Sequence, residues 1–202
     1  VVALADRHDA DLVSLQEMTP EAVAALDRAG FAGRYPHRVL DARRGAQGSG
    51  LLARYPLTGA RRPQGLRMAM PEATLQVPGA AAVRVKAVHP VAPLGDDVAV
   101  WRDGLRSLPR ATPDGGLRML VGDFNATLDH DELRDLLDSG YADAADAIGG
   151  GLHGTYPSRR RVRIAIDHVL VDRRVRVTDA RVHPVPGSDH RAVAAALLLP
   201  QG

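Results

Sequence analysis

Leu117-Arg118-Met119-Leu120-Val121-Gly122-Asp123-Phe124-Asn125 is an apolar run that ends in a glycine and two polar side chains. Leu117 to Val121 lie between Gly116 and Gly122, the pattern of a buried strand bounded by turn residues. A glycine at the strand's end lets the backbone turn tightly or approach a ligand. Asp123 and Asn125 sit two residues apart, so their side chains can project to the same side. At a strand mouth they offer a base or metal ligand beside a neutral donor. The competing reading is an ordinary strand-to-loop turn, because Gly, Asp and Asn are common in turns. The rest of the chain has to separate the two.

Upstream, Ala82 to Val88 reads as a strand closed by His89-Pro90, and Ala73, Leu75 and Val77 alternate as in a half-buried strand. Pro78-Gly79 is the turn between them. Leu12 to Leu15 is a short buried strand with Gln16-Glu17 at its exit. Val1, Leu4 and Ala5 have helical spacing before it. Thr19 as N-cap, Pro20 in the first turn and Glu21 behind it open a helix that runs to about Gly30. Gly45 to Gly50 reads as a small-residue loop before a strand at Leu51 to Ala53. Trp101, Leu105 and Leu108 mark a helix over about 98–108. Downstream, Asp129 and Glu132 have capping-box spacing and predict a helix to about Asp138, with His130 in its first turn. Residues 149–161 form a Gly- and Arg-rich loop. Strands are expected at 162–171, which carries Asp167-His168, at 175–182, and at 192–199 after Ser188-Asp189-His190. Short strands separated by turns, with a few helices, make an α+β domain.

The chain has 202 residues, enough for one domain with a sizeable core. With 45% hydrophobic and 25% charged residues it has an ordinary globular composition, and no apolar run approaches the roughly 18 residues of a membrane span. Cysteine is absent, which excludes disulfides, thiolate catalysis and cysteine-bound zinc. The net charge is +2, and Lys86 is the only lysine among 26 basic residues. Arginines spread along the chain read as a solvated surface before they read as a nucleic-acid patch. The 3% aromatic content leaves little to stack bases on.

Glu17, His89, Asp123 with Asn125, Asp167, and Asp189 with His190 all fall where strands meet loops. Such ends can converge on one edge of a sheet sandwich, and loops on a rigid scaffold carry function. In this set the chain resembles the endonuclease/exonuclease/phosphatase superfamily of metal-dependent phosphoester hydrolases. The resemblance rests on Leu15-Gln16-Glu17, the strand ending in His89, Gly122 to Asn125, Ile166-Asp167-His168 and Ser188-Asp189-His190, in the family's order. A narrower resemblance is to actinobacterial VanJ-like proteins linked to teicoplanin resistance. It rests on His89 to Pro93, Trp101-Arg102, Asp123 to His130, Thr155-Tyr156-Pro157 and Ser188 to Arg191.

The superfamily resemblance implies a deoxyribonuclease-like four-layer fold, a two-sheet β-sandwich flanked by helices, over a single domain at 1–202. The family opens with an asparagine-bearing strand ahead of the Gln-Glu motif, and this chain starts after that point. The implied reaction is in-line attack of water on phosphorus with Mg²⁺, or Mn²⁺ in its place. Glu17 and Asp189 are the expected metal ligands, and Asp123 the group that orients or deprotonates water. Asn125 would hold a phosphoryl oxygen. His190 would stabilise the transition state or relay a proton, held by the hydrogen bond it donates to Asp167. His89 would serve as acid or phosphate donor near the leaving group. Glu17 as a surface acid and His89 as a strand-end cap are the plainer alternatives. Asp129 reads better as a helix cap than as a ligand. On a strand His168 points away from Asp167, outside the site. Tyr156 is either a cleft or a core residue, and Arg159, Arg160 and Arg161 either a second-phosphate clamp or a solvated loop.

The expected partner is a phosphorylated substrate. The VanJ-like resemblance makes it a polyprenyl pyrophosphate, on the outer face of a bacterial membrane reached through a segment outside this chain. Small residues at 45–50 and 63–71 would leave room for the lipid. A nuclease of the same fold, and a non-catalytic phosphate-binding module or inactive fragment, are the alternatives, and a monomer is expected.

Overall fold

The computed structural model describes residues 1–202. Its largest sheet has six strands, in the order β4 (Leu57–Arg61), β5 (Glu72–Leu75), β6 (Val83–Val88), β7 (Leu117–Asp123), β9 (Asp167–Asp172) and β8 (Tyr141–Asp143). A three-stranded sheet follows the order β1 (Leu12–Gln16), β3 (Ser49–Ala53), β2 (His37–Asp41), and β10 (Arg176–Pro184) pairs with β11 (Arg191–Leu198) as a separate ribbon. The helices are α1 (Val2–Arg7), α2 (Pro20–Arg28), α3 (Phe31–Arg34), α4 (Val98–Arg106) and α5 (Asp131–Asp138).

Alternation along the strands builds the layers, because successive side chains point to opposite faces. On β7, Leu117, Met119 and Val121 face an apolar layer shared with Val83, Val85 and Ala87 of β6, Val171 of β9 and Leu51 of β3. Val177 and Leu197 of the ribbon pack against the same layer. This is the middle of a sandwich. Leu120, Val88 and Leu170 face the other way, onto Trp101 and Leu105 of α4 and Leu133 and Leu136 of α5. Leu52 of β3 packs outward with Phe31 and Tyr35, with Val13 and Leu15 of β1 beside them. The result is helix, sheet, sheet, helix, as expected, except that the second sheet layer comes in two pieces.

Local signals hold where they were strongest. Thr19 caps α2 by accepting from Ala22 N–H at 3.1 Å, and Gly30 takes a left-handed φ of 79° after it. α5 departs from expectation. Its cap position is His130, and Asp129 lies outside the helix, paired with Arg134. His130 Nδ1 instead accepts from Thr127 N–H at 2.9 Å, which braces the turn ahead of the helix. The strand expected over 162–171 begins only at Asp167, and β2, β4 and β8 had no clear signal.

Candidate active site

Three neighbouring strands deliver the core of the site in register. Val88 pairs with Gly122 in the parallel β6–β7 ladder, which puts His89 beside Asp123 one step on. Asp123 pairs directly with Asp167 across β7 and β9. His89, Asp123 and Asp167 each continue the inward-facing alternation of their strand by one position. They therefore line one rim of the sandwich interior.

Gly122 makes this packing feasible. Its φ is 141°, and a Cβ there would lie 2.3 Å from the Val88 carbonyl oxygen and 2.6 Å from Gln16 Nε2. The contact brings the end of β1 onto β7, with Gln16 Nε2 donating to Ser14 Oγ at 2.9 Å. Glu17 follows at once, exposed and with a left-handed φ of 55°. Met18 then anchors the turn through its N–H to Gly48 and its carbonyl to Arg43. Asn125 has φ 49°, the second non-glycine residue at the site in this region. Such backbone conformations cost on the order of 1–3 kcal/mol and tend to persist at functional sites. Asn125 N–H donates to Asp123 Oδ1 at 2.7 Å, and its side-chain Nδ2 donates to the Pro90 carbonyl at 3.2 Å.

His190 comes from the turn before β11. Its Nδ1 donates to Asp167 Oδ2 at 2.9 Å, and its Nε2 lies 3.9 Å from Asp123 Oδ2. The hydrogen bond is the one the sequence predicts. The Tyr156 ring lies against this imidazole, with centroids 4.7 Å apart. An open cleft of about 650 Å³ continues from Tyr156 along Pro157, Arg160, Arg161 and Val162.

The electrostatics follow from burial and crowding. Burial, then the facing Asp167 carboxylate, push Asp123 up to about 7, while its bond from Asn125 works the other way. Burial opposes charge on His190, yet the bond and charge of Asp167, with Asp123 and Asp189 behind it, win and raise it to about 9. His89 is buried beside that second imidazole and is lowered to about 4. At neutral pH the rim thus holds a cationic His190, a neutral His89 and an Asp123 carboxyl with its proton affinity raised. His89 Nε2 is 3.9 Å from Asp123 Oδ2, and its buried Nδ1 has no hydrogen-bond partner.

The sequence model of the Endonuclease/Exonuclease/phosphatase family matches residues 1–190. The chain belongs to this family. Among solved structures, an endonuclease/exonuclease/phosphatase from Beutenbergia cavernae aligns with TM-score 0.75 at 20% identity, over 98% of this chain and 65% of that one. This chain therefore spans less than two thirds of that protein. An AP endonuclease from Archaeoglobus fulgidus aligns at 0.74 with 14% identity, over 97% and 92% of the two chains. The Neisseria 3′ phosphatase NExo, bound to product DNA hairpin, aligns at 0.72 with 20% identity, over 96% and 91%. The comparison with curated proteins finds no match.

Endonuclease/exonuclease/phosphatase enzymes are metal-dependent phosphoester hydrolases, and the carboxylate oxygens here suit a hard cation. Ligand atoms of Asp123, Asp167 and His190 lie within 4.8 Å of one another. Two carboxylates forced opposite each other, one with its proton affinity raised, form a charge arrangement that a cation relieves. Glu17 and Asp189 stand outside that tightest cluster, both exposed. They would meet a cation from the solvent side.

Other expectations fare differently. His168 is outside the site, as alternation required. It is buried, with Nδ1 on Asp143 at 2.8 Å and Nε2 on the Ala126 carbonyl at 2.8 Å. Both partners only accept, so both ring nitrogens carry hydrogens and the ring is an imidazolium. It ties β8 and β9 to the loop after Asn125. The loops at 45–50 and 63–71 are part exposed, at 45–47 and 64–67, and part packed. Gly48 sits against the Met18 carbonyl, and Ala69, Met70 and Pro71 are buried.

Thr155 and Ser188, present in the quoted motifs without a role, support the site. Thr155 Oγ1, buried, accepts from the N–H groups of Ile166 and Asp167 at 3.1 and 3.2 Å and fixes the Asp167 backbone. Ser188 Oγ accepts from His190 N–H at 3.0 Å. The second is a short Ser-x-His turn of a kind local chemistry predicts. The first links positions 11 and 12 apart and leaves no local trace.

Proposed function

We propose that this chain is a Mg²⁺-dependent hydrolase of a phosphoester or pyrophosphate, acting by in-line attack of water on phosphorus. The observation that carries the reading is the in-register row His89–Asp123–Asp167, completed by His190. Glu17 and Asp189 would hold the cation, with Mn²⁺ as a substitute. When bound, it would neutralise charge on the phosphoryl oxygens. Asp123 orients the attacking water and takes its proton. His190, kept cationic by Asp167, donates to a phosphoryl oxygen, and the free hydrogen of the Asn125 amide donates to another. His89, neutral and with an unpartnered nitrogen, faces the leaving-group oxygen.

For the substrate we favour a polyprenyl pyrophosphate, because Arg160 and Arg161 line the cleft that starts at Tyr156 and could clamp a second phosphate. The VanJ-like segments point the same way. A nuclease is the second reading, favoured by the Tyr156 ring beside His190, a platform on which a base could stack.

The test is a comparison of phosphate release or strand cleavage on a polyprenyl pyrophosphate, plasmid DNA and a generic phosphodiester, with Mg²⁺ and with chelator. Mg²⁺-dependent release from the lipid pyrophosphate exceeding DNA cleavage is expected. Robust DNA cleavage with no release from the lipid would leave the nuclease in its place.

A further inference from the structure

Between Asp146 and Asp167 the chain carries no acid, and within those residues stand Arg159, Arg160, Arg161 and Arg163. The same excursion displays large apolar side chains to solvent. Leu152 is 96% exposed, Val162 83% and Ile164 48%. Isolated exposed apolar residues are ordinary. Here they share one short excursion with four cations, and its two arms are held together. Tyr156 and Ile164 form a bridge, with Ile164 N–H on the Tyr156 carbonyl at 2.7 Å. Gly154 packs so closely on Arg163 that a Cβ would lie 2.3 Å from the Arg163 Cβ. Leu152 and Arg163 border one groove, and Arg160, Arg161 and Val162 border the cleft beside Tyr156. The base of the excursion is fixed to the site, through Ser158 N–H to the Asp189 carbonyl and Arg191 N–H to the Thr155 carbonyl.

We infer that the 147–166 excursion is a docking surface for an anionic lipid bilayer. Guanidinium groups are attracted to acidic headgroups, at about 1 kcal/mol, or roughly fivefold in partition, per residue near the surface. Exposed Leu152, Val162 and Ile164 add apolar insertion at the headgroup boundary. Nucleic acid would use the arginines and gain nothing from these aliphatic side chains, which is why a membrane fits better. Another exposed apolar group, Leu94, Val98 and Val100, surrounds Asp96 and Asp97, so charge selects the arginine-bearing one. Docking here would set His190 and Tyr156 at the lipid surface. The inference concerns binding, so it stands or falls separately from the hydrolase reading.

The experiment is vesicle co-sedimentation in chelator, with phosphatidylcholine alone and with phosphatidylglycerol added. The protein should partition onto the acidic vesicles only, and less so at high salt. Arg159→Ala/Arg160→Ala/Arg161→Ala should lower the partition coefficient roughly a hundredfold. Leu152→Asn/Val162→Asn should lower it too, with unfolding midpoints unchanged because these side chains are exposed. No partition onto acidic vesicles would overturn the inference, as would partition that neither variant reduces. Binding of a single-stranded oligonucleotide that outcompetes vesicles and is indifferent to the Leu152/Val162 pair would make the surface a nucleic-acid one.

Discussion

Asp123 and Asp167 face each other across an antiparallel pair, an arrangement that costs stability for like charges. His190 offsets part of that cost, which ties its protonation to Asp167. Asp167→Asn removes the charge and weakens the bond that hold His190 near 9, so the imidazole should titrate lower, toward 6.5. Proton NMR of the ring would follow it. Turnover should fall while metal affinity stays nearly intact, and an equal loss of metal affinity would make Asp167 a ligand rather than a positioning residue. His89 gives a stability prediction of defined sign. Its folded pKa of about 4 lies below the ordinary imidazole value of 6.5, so between those values the unfolded chain binds more protons. Its contribution is therefore present above about pH 6.5 and lost as pH falls toward 4, on the order of 3 kcal/mol in all. Denaturant midpoints across that range should show a shallower decline in His89→Gln. An unchanged slope would mean that His89 is not a buried neutral ring.

At the scale of elements, the site depends on how closely β1, β6 and β7 approach. Gly122→Ala puts a methyl into the Val88 carbonyl and the Gln16 amide at a φ that L side chains rarely adopt. It should cost at least about 1–3 kcal/mol in urea unfolding and displace the Gln16-Glu17 exit. His168→Gln leaves Asp143 buried without its cation, a loss of roughly 3–5 kcal/mol, read by the same unfolding measurement. Much of this level was legible in the sequence. Inward-facing residues repeat every second position, so β6, β7 and β11 declared themselves, and their polar ends followed. β4 was not legible, because most of its residues are exposed and Gly59 breaks it with φ 55°. β8 is only three residues long. The partners that fix Asp167 and His168 are set by tertiary packing. Neither Thr155 nor Asp143 has a role that the sequence alone assigns, for that reason.

For the whole molecule, two helix layers and two sheet layers leave the ends of several strands on one rim. Residues as distant as His89 and His190 meet the same strand ends there. A site assembled from so many segments couples ligand binding to global stability. Mg²⁺ should raise the unfolding midpoint in proportion to its occupancy, since it binds only the folded arrangement. Glu17→Gln and Asp189→Asn should each weaken that gain, and calorimetric scans with and without chelator would check it. A gain unaffected by either change would move the ligands to Asp123, Asp167 and His190. The central claim is that this rim performs metal-dependent phosphoryl chemistry through Asp123. Its most direct test is steady-state hydrolysis by wild type, Asp123→Asn and the control Asp129→Asn, an exposed acid outside the site, each with Mg²⁺ and with chelator. The account predicts Mg²⁺-dependent turnover that falls about 10²–10⁴-fold in Asp123→Asn and is unchanged in Asp129→Asn. Turnover that survives Asp123→Asn at the wild-type rate, or that chelator does not affect, would contradict it.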